Sequence, residues 1–215
     1  MSDDSPQVRV AGRSAWVRIG LPLFVGFWFL VVWHANVRLF KSDLFPTPFD
    51  VLRGVVELIQ KGLLFKYIVA SLFRVTIGFG LAVLIGVPLG LAAGWFQKLF
   101  FAFNPMIQVL RPISPIAWIP VAILWFGVDD RAPIFLIFLA SIFPIMVSAM
   151  AAVQNIHPVY IRAARNFGIG RMDLFRRVIF PATLPQVLTG IRIALGVAWL
   201  VVVAAEMIAV NSGLG

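Results

Sequence analysis

Cysteine is absent from the 215 residues. That excludes disulfides, thiolate metal ligands and thiol nucleophiles, and leaves the redox compartment open. Charge is scarce too: 13% of residues are Asp, Glu, Lys or Arg, against about a quarter in soluble globular chains. Histidine occurs only at positions 34 and 157, with no carboxylate cluster beside either. Neither a metal site nor a His-based catalytic constellation is therefore expected. No GxxxxGKS or GxxxxGKT string is present, so the chain has no phosphate-cradling loop of its own. What is abundant is apolar, at 61% of residues, and the chain reads as an integral membrane protein. The net charge of +9 is carried between the apolar runs rather than on a basic face interleaved with aromatics, which argues against nucleic acid as a partner.

A span needs about 20 mostly apolar residues, and five stretches qualify: 19–37, about 67–96, about 103–126, about 132–152 and about 187–210. The first is too long for the core of a cleaved signal peptide and has no small-x-small site behind it, so it reads as retained. The third is broken by Arg111, Pro112, Pro115 and Pro120. Between the first two spans, Val51, Leu52, Val55, Val56, Leu58 and Ile59 recur at helical spacing opposite Asp50, Arg53, Glu57 and Lys61. This amphipathic helix fits a membrane surface or the flank of the chain's own spans. Counting Lys and Arg outside the spans favours a cytoplasmic N-terminus. Residues 1–18 are then a cytoplasmic tail, 38–66 an extracytoplasmic loop, and 67–215 the core. Five spans leave the C-terminus outside.

The stretch VYIRAARNFGIGRMDLFRRVIFPATLP, residues 159–185, interrupts the oil with five arginines, two glycines and two prolines. Residues 161–167 read as a short helix closed by Gly168 and Gly170. A second short helix follows, with an apolar stripe of Met172, Phe175 and Val178, and Pro181 and Pro185 are expected to end it. Positive-inside anchoring accounts for the arginines alone. It does not account for the glycine hinge, the Ala163-Ala164 pair or the stripe, which suit an ordered docking element.

At these residues the chain resembles the membrane-spanning permease subunits of bacterial ATP-binding-cassette (ABC) importers. Their signature runs Glu-Ala-Ala, three residues, Gly, nine residues, Ile, one residue, Leu-Pro. Ala163-Ala164, Gly168, Val178 and Phe180-Pro181 fall at the matching spacing, with Arg162 where the family most often has Glu. The strings FPTPFDVLRGVVELIQKGLLF, SLFRVTIGFGLAVLIGVPLGLAAG, RPISPIAWIPVAILWFG and AEMIAVNSGLG look like the branch that imports nitrate, sulfonates, taurine and related solutes, including bicarbonate.

The resemblance implies an all-α integral membrane protein of the type I ABC importer permease fold. Members of the branch usually continue past SGLG into one more span, so a sixth is expected to be missing from this copy. It also implies a coupling loop at 159–181 that seats on a cytoplasmic ATPase, with Arg162, Ala163, Ala164, Arg165, Gly168, Asp173, Leu174, Phe175 and Pro181 as its residues. The implied partners are an ABC ATPase dimer that carries ATP and Mg, a second permease copy and an extracytoplasmic substrate-binding protein. No cofactor is expected on this chain itself.

Arg111, Arg192 and Glu206 are the charges nearest to span interiors, where each costs about 2.5 to 3.5 kcal/mol unless paired or hydrated. Arg192 is read as snorkelling to the cytoplasmic face. Arg111, at a helix break, fits either anchoring or attraction of an anion. Glu206 reads as an interfacial carboxylate bonded to a neighbouring helix, with a pathway role as the alternative. Freed backbone groups in the third span survive only inside protein or along a wet cavity. Arg111, Ser114, Pro115, Trp118 and Glu206 are thus the candidate translocation residues, with Pro112 and Pro120 beside them. Gly86, Gly90 and Gly94 are read as a packing face. His34 and His157 are read as interfacial hydrogen-bonders. A self-sufficient secondary transporter or channel would need paired intramembrane charges or inverted repeats, and the spans are expected to hold neither.

Overall fold

The computed structural model describes residues 15–39, 45–209 and 213, and the regular structure among them is helical throughout. The chain divides into two compact units, the first ending at Leu63 and the second beginning at Leu64.

The first unit holds α1 (Ala15–Leu39) and α2 (Pro48–Gln60). Apolar residues face every side of α1, and from Leu21 to Val32 its large ones are all exposed, as a helix in contact with lipid requires. The expected span at 19–37 lies within it. α2 starts on a capping box: the Asp50 amide donates to Thr47 Oγ1 (3.3 Å), and the Thr47 amide donates to Asp50 Oδ2 (3.0 Å). None of its residues is buried, and Lys61 pairs with Glu57 at 2.6 Å on its polar side. His34 meets Phe49 edge-on at 5.8 Å, and its buried Nδ1 has no hydrogen-bond partner. The hydrogen-bonding role expected of His34 is therefore not what the structure gives this nitrogen.

The second unit comprises α3 (Leu63–Trp95), α4 (Gln97–Leu110), a 3-10 turn (Pro115–Trp118), α5 (Ile119–Phe126), α6 (Arg131–Gln154), α7 (Pro158–Asn166), α8 (Arg171–Leu174), a π turn (Phe175–Ile179) and α9 (Phe180–Ala209). α6 is its central helix, and three core layers stack along it. Leu136, Ile137 and Ala140 pack with Val75, Ile119 and Val202; Ile145 packs with Ala82 and Ala194; Ala149 and Val153 pack with Leu91, Ala164 and Ile179. The expected glycine packing face is present. A Cβ on Gly90 would lie 2.6 Å from the Met146 carbonyl oxygen and 2.7 Å from Ala149 Cβ, so α3 and α6 touch backbone to backbone there.

Among the described residues, four helical runs are long and apolar enough to cross a membrane. The proline-broken third span is a bent pair, Gln97–Leu110 and Pro115–Phe126, which meet at 85°. Counted as one span, the pair brings the total to the expected five.

Pro181 and Pro185 do not end a helix, contrary to the sequence reading. The chain stays helical through both, from α8 across the π turn into α9. Pro181 has no amide to give to the carbonyl four residues back and would crowd it. The π turn just before it widens the spiral and absorbs that conflict, with the Phe180 amide donating to the Phe175 carbonyl five residues back. The same turn shifts the apolar phase. Leu174 and Ile179, five apart, are buried, whereas Met172 from the expected stripe is 70% exposed.

Candidate functional site

A charged cluster joins α3, the start of α6 and the end of α9. Arg74 is 1% exposed and donates through Nη1 to Glu206 Oε1 (2.7 Å), through Nε to Asp130 Oδ1 (2.9 Å) and through Nη2 to the same oxygen (2.6 Å). Ser71, one turn before Arg74, donates its hydroxyl to both Glu206 oxygens at 2.7 and 2.8 Å. Gly213 lies against this carboxylate so closely that a Cβ there would overlap it. Glu206 is thus bonded to a neighbouring helix, as one reading of the sequence had it. The expectation that the spans hold no paired charges is overturned, because Arg74 of α3 pairs with Glu206 of α9. The missed signal was a pair of opposite charges, each a turn or two inside the same end of two different spans. With two carboxylates on one guanidinium, the cluster carries a net negative charge and cannot itself attract an anion.

The break between α4 and α5 makes a second feature. Arg111, Pro115 and Trp118 line a cavity of ≈ 180 Å³, closed on the other side by Phe143 and Pro144 of α6 and Val197 of α9. Three of the candidate translocation residues are therefore brought together. Ser114 stands exposed on the break, its carbonyl accepting from the Ala117 amide at 3.0 Å, and is not on the wall. Glu206 belongs to the Arg74 cluster, nine residues beyond Val197 and about 14 Å along α9 at ~1.5 Å per residue. The side chain of Arg111 makes no hydrogen bond or ion pair among the described residues, in contrast to that of Arg74. A larger groove of ≈ 620 Å³, walled by Leu91, Trp95, Met172, Phe175 and Phe180 among others, holds no charged side chain.

The basic loop is ordered and two-faced. α7 ends in a Schellman turn: Gly168 adopts φ +71°, and the Ile169 amide reaches back to the Ala164 carbonyl at 3.2 Å. Gly170 accepts from the Leu174 amide (2.8 Å), which starts α8. Ala164 and Leu174 are buried in the lowest core layer, and Phe175 lies tilted against Trp95 at 6.2 Å. Arg162, Ala163 and Asp173 face outward, Asp173 within 3.4 Å of Arg177. The side chain of Arg165 lies outside the described set. Pro181 is exposed within α9, and His157 Nδ1 accepts from the Val159 amide at 3.4 Å. Tyr160 and Phe167, on the same loop, are 61% and 84% exposed.

A family profile described as the binding-protein-dependent transport system inner membrane component matches residues 86–215. The chain is 37% identical over 193 residues to the taurine transport system permease protein of Escherichia coli (strain K12), covering 86% of this chain and 70% of that protein. It is 41% identical over 208 residues to a nitrate import permease protein of Leptolyngbya laminosa, covering 94% and 74%. To a probable ABC transporter permease protein of Brucella melitensis biotype 1 it is 42% identical over 191 residues, covering 89% and 75%. With the profile matching more than half of its length, and with its all-helical, multiply spanning second unit, the chain belongs to the inner-membrane permease family of binding-protein-dependent ABC importers.

Proposed function

We propose that this permease forms the membrane pathway for a small anion, such as nitrate, a sulfonate of the taurine type or bicarbonate, and that a separate ATPase drives it by alternating access. Two copies enclose the pathway, each seats one ATPase on its 159–181 loop, and a binding protein delivers solute from the side opposite the loop. The N-terminus and the loop face the cytoplasm, as the Lys and Arg distribution favours. ATP and Mg stay on the partner, and this chain makes and breaks no bonds.

The observation that carries the reading is the loop's construction. A segment that only anchored topology would gain nothing from a Schellman turn, a buried Ala164 and Leu174, and an outward face of Tyr160, Arg162, Ala163 and Phe167. Anchored beneath and exposed above, it is built to be gripped. Arg162 stands where the family's signature has an acid, so the partner's groove is expected to be complementary to a base there.

A self-sufficient secondary transporter is the competing reading, and the buried Arg74–Glu206 pair is the observation in its favour. Co-expression with its neighbouring ATPase, followed by pull-down and uptake in proteoliposomes, separates the two. Uptake that requires both the ATPase and ATP is expected. Transport by the permease alone, driven by an ion gradient, would sink the proposal.

A further inference from the structure

We propose that the cavity at the α4–α5 break is a resting site for a small oxyanion in transit, with Arg111 as the residue that recognises its charge. The inference rests on the permease reading above and goes on to name where in the pathway selectivity is exerted.

Two arginines of the second unit stand where its helices meet or break, and the structure treats them oppositely: Arg74 is buried and Arg111 is exposed. Arg74 is closed off by Asp130 and Glu206, so its charge is spent. Arg111 has no carboxylate or other polar partner among the described residues, and its side chain is on the wall of a cavity. That wall includes Phe143 and Pro144 from the middle of α6 and Val197 from the middle of α9, which places the cavity near half-height. Arg111 is exposed, so water or an anion can reach its guanidinium. The 85° bend supplies the route, because it opens the helix where Pro112 and Pro115 interrupt the hydrogen-bond ladder.

The polar chemistry of the wall has one sign. Arg111 offers five N–H donors in a planar fork matched to oxyanions, and Trp118 offers an indole N–H that is donor only. No Asp or Glu lines the cavity, and the nearest carboxylate on α9, Glu206, is about 14 Å away along the helix and already occupied. A volume of ≈ 180 Å³ admits a small anion with a few waters rather than a large organic solute. One guanidinium opposite apolar Phe143 and Pro144 suits a singly charged ligand held loosely enough to leave. Arg192, the arginine of α9, does not line the cavity.

The test uses the whole importer, permease with ATPase and binding protein, in ATP-loaded proteoliposomes given labelled nitrate, bicarbonate or taurine. Arg111→Gln is expected to lower uptake of the transported anion about tenfold or more, while ATPase co-purification and basal ATP hydrolysis stay within twofold of wild type. Arg111→Lys, which keeps the charge without the fork, is expected to restore a substantial part of that loss. Trp118→Phe is expected to raise the half-saturating concentration with little change in maximal rate. Wild-type uptake by Arg111→Gln would overturn the site and leave the anion-importer reading standing. Loss of ATPase assembly in both Arg111 variants would also overturn it, by making Arg111 a folding residue. If the wild-type importer moves none of the three anions but carries a neutral or cationic solute, the anion reading fails first and the site with it.

Discussion

Removing the charge of Arg74 is expected to be the most damaging single change in the second unit. Arg74→Gln leaves Glu206, 3% exposed, with the Ser71 hydroxyl but without its cation, and leaves Asp130 free to turn to water. Breaking a buried pair by deleting one partner costs about 3–5 kcal/mol, because the remaining charge stays desolvated. Glu206→Gln keeps an acceptor of the same shape and leaves Asp130 on the guanidinium, so its cost should be smaller. Asp130 has half its side chain in water, so Asp130→Asn should cost about 1 kcal/mol or less. The double variant Arg74→Gln/Glu206→Gln buries no net charge and should fall short of the sum of its singles by about 0.5–3 kcal/mol. Thermal unfolding in lipid nanodiscs, read by intrinsic fluorescence, checks the order: Arg74→Gln lowest by roughly 10 °C, then Glu206→Gln, then Asp130→Asn near wild type. Strictly additive singles, or an Asp130→Asn loss equal to that of Arg74→Gln, would refute the assignment of the energy to the Arg74–Glu206 pair.

Other expectations concern separate parts of the chain. Gly168→Ala forces a Cβ into φ +71° at a cost of about 1–2 kcal/mol, and Gly168→Pro is incompatible with that φ altogether. ATPase pull-down should weaken in that order while insertion into the membrane persists. Gly90→Leu drives a side chain into the Met146 backbone and Ala149, and should lower the melting temperature of the purified permease while Gly80→Leu, which meets open space, does not. At α2, the Thr47 hydroxyl and then the Thr47 amide hold the Asp50 carboxyl below its ordinary range. A depressed folded value means the cap's contribution is fully present above the ordinary carboxylate range, about pH 4, and is lost as pH falls through the folded value. Exchange of the Asp50 and Val51 amides, corrected for intrinsic rates, should therefore speed up at low pH. In Thr47→Ala it should be fast throughout.

The helices themselves were legible in the sequence because in lipid a long apolar run has one way to satisfy its backbone. Gly86, Gly90 and Gly94 announced a packing face through spacing alone, and Gly168 announced a helix end through its conformational freedom. What was not legible depended on depth and phase. Arg74 fell inside the expected second span but was not singled out, because nothing in the local sequence says which carboxylates reach it. Its partners lie at positions 130 and 206, brought to it only by the packing of three helices. Pro181 looked like a terminator because proline is one in a regular α-helix. A π turn removes that conflict without leaving a mark in composition. The cavity wall was half legible: Arg111, Pro115 and Trp118 follow from the break, whereas Phe143 and Val197 come from helices whose facing turns no local pattern identifies.

The π turn has a mechanical consequence. Residues 171–209 form one rod about 58 Å long at ~1.5 Å per residue, with the basic loop at one end and Glu206 near the other. Such a rod is stiff except where its hydrogen-bond ladder is interrupted, and Phe175–Ile179, with Pro181 and Pro185 just beyond it, is that place. From there to Glu206 is a lever arm of about 40 Å, so a tilt of about 10° at the π turn sweeps the far end through about 7 Å. The swing is more than twice the length of the hydrogen bonds that Glu206 makes to Arg74 and Ser71. A small rotation at the loop is therefore geared up, and α3 must travel with α9 or let go of it.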